Sequence, residues 1–180
     1  MITRRFPGSY GAWLDREFET LSSVSRRPHY HHSECRRMEE TMASITEPAR
    51  AFFEACEQGK GWDACSQYCA PDATFAAQSE ALADVKTLKD YTEWMKGILT
   101  VLTDGHYELR SFAIDAERNN VCAYAVFIGS HLAEGGPVPP TRKTTKTDYV
   151  YVMQFDGGGK ITHMTKIWNS GMALKELGWA

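Results

Sequence analysis

The stretch VMQFDGGGKITHMTKIW, Val152–Trp168, decides the fold. Two strand-forming runs flank the turn sequence DGGG at 156–159, and this pattern predicts an antiparallel hairpin. A four-residue loop pairs Phe155 with Lys160 and fixes which side chains share a face. The partners expected further along the hairpin are Met153 with Thr162, Tyr151 with Met164, and Tyr149 with Lys166.

The length of this loop decides the second strand's contribution to that face. With four residues in the loop, Met164, Lys166 and Trp168 lie on the same side as Tyr151. A loop one residue longer or shorter would place His163 there instead, because successive side chains of a strand point to opposite faces.

Outward from the hairpin, periodicity predicts a helical first half and a strand-rich second half. Helical spacing of apolar residues marks three segments, Thr46–Gly59, Trp62–Cys69 and Thr87–Leu102. Strands are predicted at His106–Asp115, Val121–His131, Thr144–Phe155 and Lys160–Trp168, with a loop at 135–140 and a terminal helical turn at Ser170–Leu177. Helices that precede one antiparallel meander make an α+β fold.

Composition predicts one globular domain. The 180 residues are 43% hydrophobic and 24% charged, and the formal net charge is -3. We expect no membrane association, because no apolar run is long enough to span a bilayer, and a cytoplasmic location, because no secretory signal follows the basic start. The pI near 6.1 argues against a nucleic-acid partner.

The composition changes near Met42. Residues 1–42 hold seven arginines, no lysine and six acids, a net charge of +1, whereas residues 43–180 carry -4. We therefore predict that 1–42 is an N-terminal extension outside the fold and that 43–180 is the domain.

Histidines and cysteines offer two weak metal-site candidates. His29, His31 and His32 lie close together, but no second ligand cluster at suitable spacing completes a site, so a solvated basic tail is the preferred interpretation. Cys65 and Cys69 would share a helix face as a metal or redox pair, or would be buried free thiols, which is the commoner case. We expect no metal and no cofactor.

Two motifs carry a resemblance to a known family. The run APDATF at 70–75 and the hairpin Val152–Trp168, followed by Asn169–Gly178 ending in Leu-Gly, resemble the nuclear transport factor two-like superfamily. The similarity is to its branch of SnoaL-like polyketide cyclases and ketosteroid isomerases. It implies a cone-shaped domain, in which a curved antiparallel sheet carries three N-terminal helices on its concave face and an apolar pocket opens at one end.

The catalytic residues of ketosteroid isomerases do not carry over. Their proton-shuttling aspartate corresponds to Ala77, their oxyanion-hole aspartate to Tyr151, and their oxyanion tyrosine falls near Phe53. The resemblance therefore argues against isomerase chemistry of that type.

The other branches fit only in part. The general acid-base aspartate of SnoaL-like cyclases corresponds to Asn169, an amide that hydrogen-bonds a carbonyl but does not exchange a proton near neutral pH. In a comparison with scytalone dehydratases, Glu57 lies near the aspartate, but neither His106 nor His163 matches the histidines.

The concave face supplies the candidate site residues. We predict Asn169, Tyr151 and Lys166 as catalytic. The predicted substrate-binding residues are Trp168, Tyr149, Met164, Met153, Trp94, Tyr91 and Gln78. This aromatic and thioether mixture suits a hydrophobic small molecule held by a few hydrogen bonds. The alternative is that the methionines and the helix residues are core.

Lys166 has two possible roles. A buried lysine would have a lowered pKa or a hydrogen-bond partner, and would polarise a carbonyl or bind an anionic group. Alternatively, its stem packs on Trp168 and its amine reaches water at the open end of the cone.

These residues lead to one functional hypothesis and its alternative. The first is a SnoaL-type enzyme that isomerises, cyclises or dehydrates a hydrophobic carbonyl compound by acid-base chemistry. The alternative is a non-catalytic small-molecule binding or dimerisation module of the same fold. We also expect a homodimer through the exposed sheet face, because Val121–Ile128 is apolar on both sides.

Overall fold

The computed structural model describes residues 32–180, which form an α+β fold around one curved, unclosed sheet. In chain order the elements are α1 (His32–Glu57), α2 (Gly61–Cys65), β1 (Cys69–Ala77), α3 (Leu88–Val101), β2 (His106–Asp115), β3 (Asn120–Ser130), β4 (Thr144–Phe155), β5 (Ile161–Trp168) and α4 (Ser170–Leu177). Short 3-10 turns lie at Ser66–Tyr68 and Glu80–Leu82. The predicted fold class is confirmed. None of the helices in this part of the chain combines the length and hydropathy needed to cross a bilayer.

The sheet is mixed, which corrects the expectation of a purely antiparallel one. Its order is β1-β5-β4-β3-β2, and β2 to β5 form the predicted antiparallel meander. Strand β1, however, pairs with β5 in parallel, with Thr74 beside His163 and Ala77 beside Lys166. A tight turn would force β1 to run antiparallel to the strand that follows it. Because α3 joins β1 to the meander instead, the connection allows either direction.

The register of the β4–β5 hairpin differs from the predicted one by two residues. Met153 pairs with Met164, Tyr151 with Lys166, and Tyr149 with Trp168. The loop is one residue longer than predicted, and Thr162 then forms a bulge between the rungs of Gln154 and Phe155. Either the longer loop or the bulge alone would place the opposite set of β5 side chains on the concave face. Together they restore its parity, so the predicted set of side chains on the concave face is correct although the predicted pairs are wrong.

Helix α1 begins 14 residues before the predicted start at Thr46. Its first turns are exposed and rich in good helix formers, with an ion pair of 3.1 Å between Arg36 and Glu40, so they need no apolar period to be helical. The helix ends where predicted, since Gly59 adopts a φ of 65° and its N–H bonds the carbonyl of Cys56. Residues 1–31 of the proposed extension lie outside the described residues, and the boundary at 42 stays a prediction.

The core lies between the concave face of the sheet and helices α1 to α3. Helix α3 begins one residue after the predicted start, and Thr87 is its N-cap, since Thr87 Oγ1 accepts a hydrogen bond from the N–H of Asp90 at 3.1 Å. From α1, Phe52 and Phe53 are buried against the sheet, and from α3, Tyr91 and Met95. These helices therefore cover the part of the concave face that is nearest to them and leave a cavity beyond it.

Candidate functional site

A cavity of about 190 Å³ opens between the sheet, α3 and α4. Its wall is mostly apolar and aromatic, with three hydroxyl-bearing residues and one lysine. It is lined by Ala81, Trp94, Met95, Ile98, Leu102, Phe127, Thr145, Thr147, Tyr149, Lys166, Trp168, Ala173, Leu174, Leu177 and Trp179. A cavity of this composition suits a hydrophobic molecule that carries one or two polar groups.

Strand parity explains the sheet's part of this wall. Thr145, Thr147 and Tyr149 alternate along β4, and Lys166 and Trp168 alternate along β5, so all five share the concave face. The Nε1 of Trp168 donates to Thr147 Oγ1 at 3.3 Å and thereby orients the indole ring.

Lys166 is the only charged residue in the cavity wall, and 6% of it is exposed. Its Nζ donates to the hydroxyl of Tyr91 at 2.8 Å. Five aromatic rings surround this nitrogen, with centroids 4.9 to 5.8 Å away: Tyr91, Trp94, Tyr149, Tyr151 and Trp168. The alternative that the amine reaches bulk water is therefore wrong, and cation–π contacts replace part of its hydration.

Glu57, the last residue of α1, is the second buried charged group, with 2% of its surface exposed. The hydroxyl of Tyr149 donates to its Oε2 at 2.6 Å, and the hydroxyl of Tyr151 donates to its Oε1 in a short hydrogen bond. Both oxygens of the carboxyl group are thus held by tyrosines from β4.

One chain of hydrogen bonds joins these two groups. The hydroxyls of Tyr91 and Tyr151 share a short hydrogen bond, and the proton of Tyr151 is directed at Glu57, so Tyr91 is the donor between them. Since Lys166 donates to Tyr91, every link points from the amine towards the carboxylate. This order leads from Lys166 through Tyr91 and Tyr151 to Glu57 and provides a path for a proton.

Burial shifts the pKa of both ends towards the neutral forms. Desolvation lowers the pKa of Lys166, while the negative charge of Glu57 opposes that shift. Desolvation raises the pKa of Glu57, while Lys166 and the two tyrosine hydroxyls oppose it. Among residues 32–180, no carboxylate lies within 4.0 Å of Nζ. Burial therefore favours the uncharged form of each of the two groups that the tyrosines connect.

The predicted site residues fall into four groups, of which three lie on the concave side of the sheet. Lys166, Tyr149, Trp168 and Trp94 line the cavity. Tyr151 and Tyr91 lie behind it as links of the hydrogen-bonded chain, with 0% of either residue exposed. Met153 and Met164, both fully buried outside the wall, are core residues, as the alternative interpretation expected.

Asn169 and Gln78 lie outside the cavity wall. Asn169 is exposed, and its Oδ1 accepts from the N–H of Met172 at 3.1 Å, so it is the N-cap of α4. Gln78 is exposed just after the end of β1. The predicted convergence of Tyr151, Lys166 and Asn169 therefore holds for the first two residues only.

Three further site residues escaped the sequence-based prediction. Thr145 and Thr147 have the parity of Tyr149, so alternation along β4 was a signal that could have found them. Trp179 had no such signal: it reaches the wall because its Nε1 donates to His131 Nδ1 at 2.9 Å. His131 itself is fully buried just after the end of β3.

The thiols and histidines of the described chain do not form a metal centre. Cys65 and Cys69 are buried, and burial raises the pKa of each thiol to about 12, which keeps both protonated. Across residues 32–180, no group of three or more histidine, cysteine or acidic side chains lies together. The side chains of His29, His31 and His32 lie outside the described residues.

Solved structures with this arrangement of elements are numerous. A candidate SnoaL-like polyketide cyclase from Jannaschia sp. CCS1 superposes with a TM-score of 0.63 at 13% identity, over 77% of this chain and 94% of that one. AclR, a candidate hydroxylase from Streptomyces galilaeus, gives 0.61 at 19% identity, over 77% and 87%. IdmH, a candidate polyketide cyclase from Streptomyces antibioticus, gives 0.58 at 19% identity, over 74% and 98%. At these identities the likeness establishes the fold alone.

The sequence itself identifies the family. No curated protein matches the chain. The SnoaL-like domain, however, matches residues 49–164, well over half of the chain, from the buried part of α1 to the middle of β5. The resemblance inferred from the last hairpin is confirmed, and the chain belongs to the SnoaL-like domain family.

Proposed function

We propose that this protein is an enzyme that moves protons on a hydrophobic carbonyl compound bound in the cavity. The observation that carries the proposal is the directed chain of hydrogen bonds from Lys166, in the cavity wall, to the buried Glu57. The outcome for the substrate is an isomerisation, a cyclisation or a dehydration, each of which begins with proton transfer next to a carbonyl group.

Lys166 is the catalytic residue in this mechanism. When its ammonium passes a proton to Tyr91, the chain relays one to Glu57, and the amine that remains is a base facing the bound substrate. The amine then removes a proton from the carbon beside the carbonyl. The reverse transfer returns a proton to the substrate, so Tyr91 and Tyr151 act as relay residues.

Burial suits Lys166 to this role. An exposed lysine is protonated at neutral pH, whereas a base works best when its pKa lies near the working pH. Desolvation lowers the pKa of Lys166 in that direction. Trp94, Tyr149 and Trp168 hold a planar substrate beside the amine and exclude water from it.

Deuterium exchange tests the proposal without knowledge of the natural substrate. The probe is 2-tetralone, a planar hydrophobic ketone, and NMR in D₂O follows the loss of its α-protons. The protein should accelerate the exchange above the buffer rate. Lys166→Met should abolish the acceleration, whereas Lys160→Met, which removes an exposed lysine, should keep it. Equal acceleration by the protein and by Lys166→Met would overturn the proposal.

A second candidate function is a non-catalytic binding module. It is favoured by Asn169, which replaces the catalytic aspartate of SnoaL-like cyclases and is a helix cap in this chain. A binding module would quench tryptophan fluorescence when 2-tetralone enters beside Trp94 and Trp168, yet would leave the exchange rate at that of the buffer.

We further propose a homodimer through the convex face of the sheet. Tyr124, Val150 and Ile167 lie in one row across β3, β4 and β5, and 38% of Tyr124 and 61% of Ile167 are exposed. A second copy of the chain would cover this row. Sedimentation should give about twice 20.3 kDa, and Ile167→Glu should give a monomer. A monomeric parent protein at micromolar concentration would contradict the proposal.

A further inference from the structure

The surroundings of Lys166 fit a second kind of chemistry besides proton transfer. We infer that Lys166 is a nucleophile that forms an imine with an aldehyde or ketone in the cavity. The inference rests on the proposed function in one respect, because both require a carbonyl compound beside Nζ.

The position of the amine is the first argument. Its nitrogen lies between the cavity-lining rings of Trp94 and Trp168 and the deeper hydroxyl of Tyr91, to which it donates at 2.8 Å. A substrate that enters the cavity therefore approaches Nζ from the side opposite to Tyr91. Lys166 is 6% exposed and its backbone lies between Tyr151 of β4 and Ala77 of β1, so the nitrogen is held in place for attack on a carbonyl carbon.

The charge balance is the second argument. An imine nitrogen in its protonated form keeps the single positive charge that the ammonium had. The five surrounding rings stabilise that charge equally well on either species, and Glu57 stays its counter-charge through the two tyrosines. By contrast, an amide formed on Lys166 would leave the cage without a cation.

The hydrogen-bonded chain supplies the protons that the reaction moves. First, the ammonium loses a proton through Tyr91 and Tyr151 to Glu57. The lone pair of Nζ then attacks the carbonyl carbon, the C=O π pair moves to oxygen, and a proton passes from nitrogen to that oxygen. The proton returning from Glu57 reaches the nitrogen through Tyr91, and the nitrogen passes a proton to the hydroxyl, which leaves as water while the nitrogen lone pair forms the C=N bond. The sum is ammonium plus carbonyl giving protonated imine plus one water, with Glu57 unchanged.

Reductive trapping tests the inference. The probe is 6-methoxy-2-naphthaldehyde with sodium cyanoborohydride at neutral pH, which reduces a protonated imine to a stable secondary amine. The expected product carries the aldehyde's mass less one oxygen, and peptide mapping should find it on Lys166 before any of the other eight lysines. Labelling that is slower at Lys166 than at exposed lysines, or absent there, would overturn the inference.

Two variants make the result specific. Lys166→Arg keeps a cation in the cage but has no nucleophilic amine, so the preferential label should disappear. Glu57→Gln removes the group that accepts the proton of Lys166, so labelling of Lys166 at neutral pH should become slower than in the parent protein and should recover only as the pH rises. A structural role of Lys166 would not produce that change in the pH profile, and an unchanged profile would contradict the inference.

Failure of this inference differs from failure of the proposed function. If the protein exchanges the α-protons of 2-tetralone but cyanoborohydride leaves Lys166 unlabelled by ketone and aldehyde, Lys166 is a base and the imine is excluded. If Lys166 is labelled before the other lysines but the protein does not accelerate the exchange of 2-tetralone, Lys166 is a nucleophile and the proposed acid-base function is wrong.

Discussion

The two ends of the β4–β5 hairpin have the same strand alternation but very different surroundings. Near the loop, Met153 and Met164 are fully buried in close-packed core. At the other end, Tyr149, Lys166 and Trp168 line a cavity. Alternation places all five side chains on the concave face, so it does not distinguish core from site. The comparison shows that the helices above the sheet decide this difference.

Helix placement explains where the packed end stops. Phe53 of α1 contacts the rings of Tyr149 and Tyr151, with centroids 6.4 and 5.5 Å away, and α1 ends four residues later at Glu57. Beyond this point α3 and α4 flank the sheet in the described part of the chain, and the cavity lies between them. The carboxyl of Glu57 thus lies at the boundary between the packed and the open ends.

The largest effect on stability should come from the packed end. Met164→Ala removes a fully buried side chain whose space the surrounding core does not refill, so we expect a loss of about 2–5 kcal/mol in the free energy of unfolding. Urea denaturation measures this loss. Met172→Ala is the matched control, since 46% of Met172 is exposed, and it should change stability by about 0.5 kcal/mol or less. A loss below about 1 kcal/mol for Met164→Ala would mean that this end is also loosely packed.

At the boundary, Lys166→Met should make stability depend more steeply on pH. In the parent protein the positive charge of Lys166 opposes the rise in the pKa of Glu57 above 4.5 that burial causes. Lys166→Met removes this opposition, so the pKa of Glu57 rises further. The folded state then keeps a proton that the unfolded chain releases, so stability is retained below that value and falls as the pH rises through the folded pKa. We expect a steeper fall in stability as the pH rises above 4.5 than in the parent protein.

The pKa of Lys166 contributes in the same direction. In the parent protein its lowered value means that the unfolded chain binds more protons, which makes stability rise with pH. The Lys166→Met variant lacks this rise of stability with pH. Urea denaturation at several pH values measures the slope, and the double variant Lys166→Met with Glu57→Gln should remove the added fall. An unchanged slope in Lys166→Met would show that the two groups are not coupled.

The sequence predicted which side chains of the hairpin share the concave face, but it did not predict which distant residues contact them. Parity depends on local alternation, and it survived because the longer loop and the bulge at Thr162 cancel. The partnership of Tyr151 with Glu57 joins residues 94 positions apart. The link from Trp179 to His131 spans 48 positions. Such contacts depend on how helices lie over the sheet, and no local pattern in this chain encodes that.

A smaller effect is expected within the hydrogen-bonded chain. Tyr91→Phe removes the link between Lys166 and Tyr151 and should cost about 1 kcal/mol of stability. It should slow the exchange of 2-tetralone on the order of tenfold, below the loss expected for a general base itself. Tyr149→Phe is the matched comparison, because it removes a hydroxyl that donates to Glu57 from outside the chain and leaves the chain intact. If both variants slow exchange equally, the tyrosines position Glu57 and do not relay protons.

The smallest effect should come from Asn169, the residue that the family resemblance marked as catalytic. Its side chain accepts from the N–H of Met172 and starts α4, which supplies Ala173 and Leu177 to the cavity wall. Loss of an N-cap costs about 1 kcal/mol, so Asn169→Ala should lower stability by that amount, while Asn169→Asp should keep it. The exchange rate of 2-tetralone should not change in either variant, because the amide is exposed outside the wall. If Asn169→Ala instead abolished exchange while α4 stayed folded, as circular dichroism would show, then the family position and not the Lys166 chain would carry the chemistry.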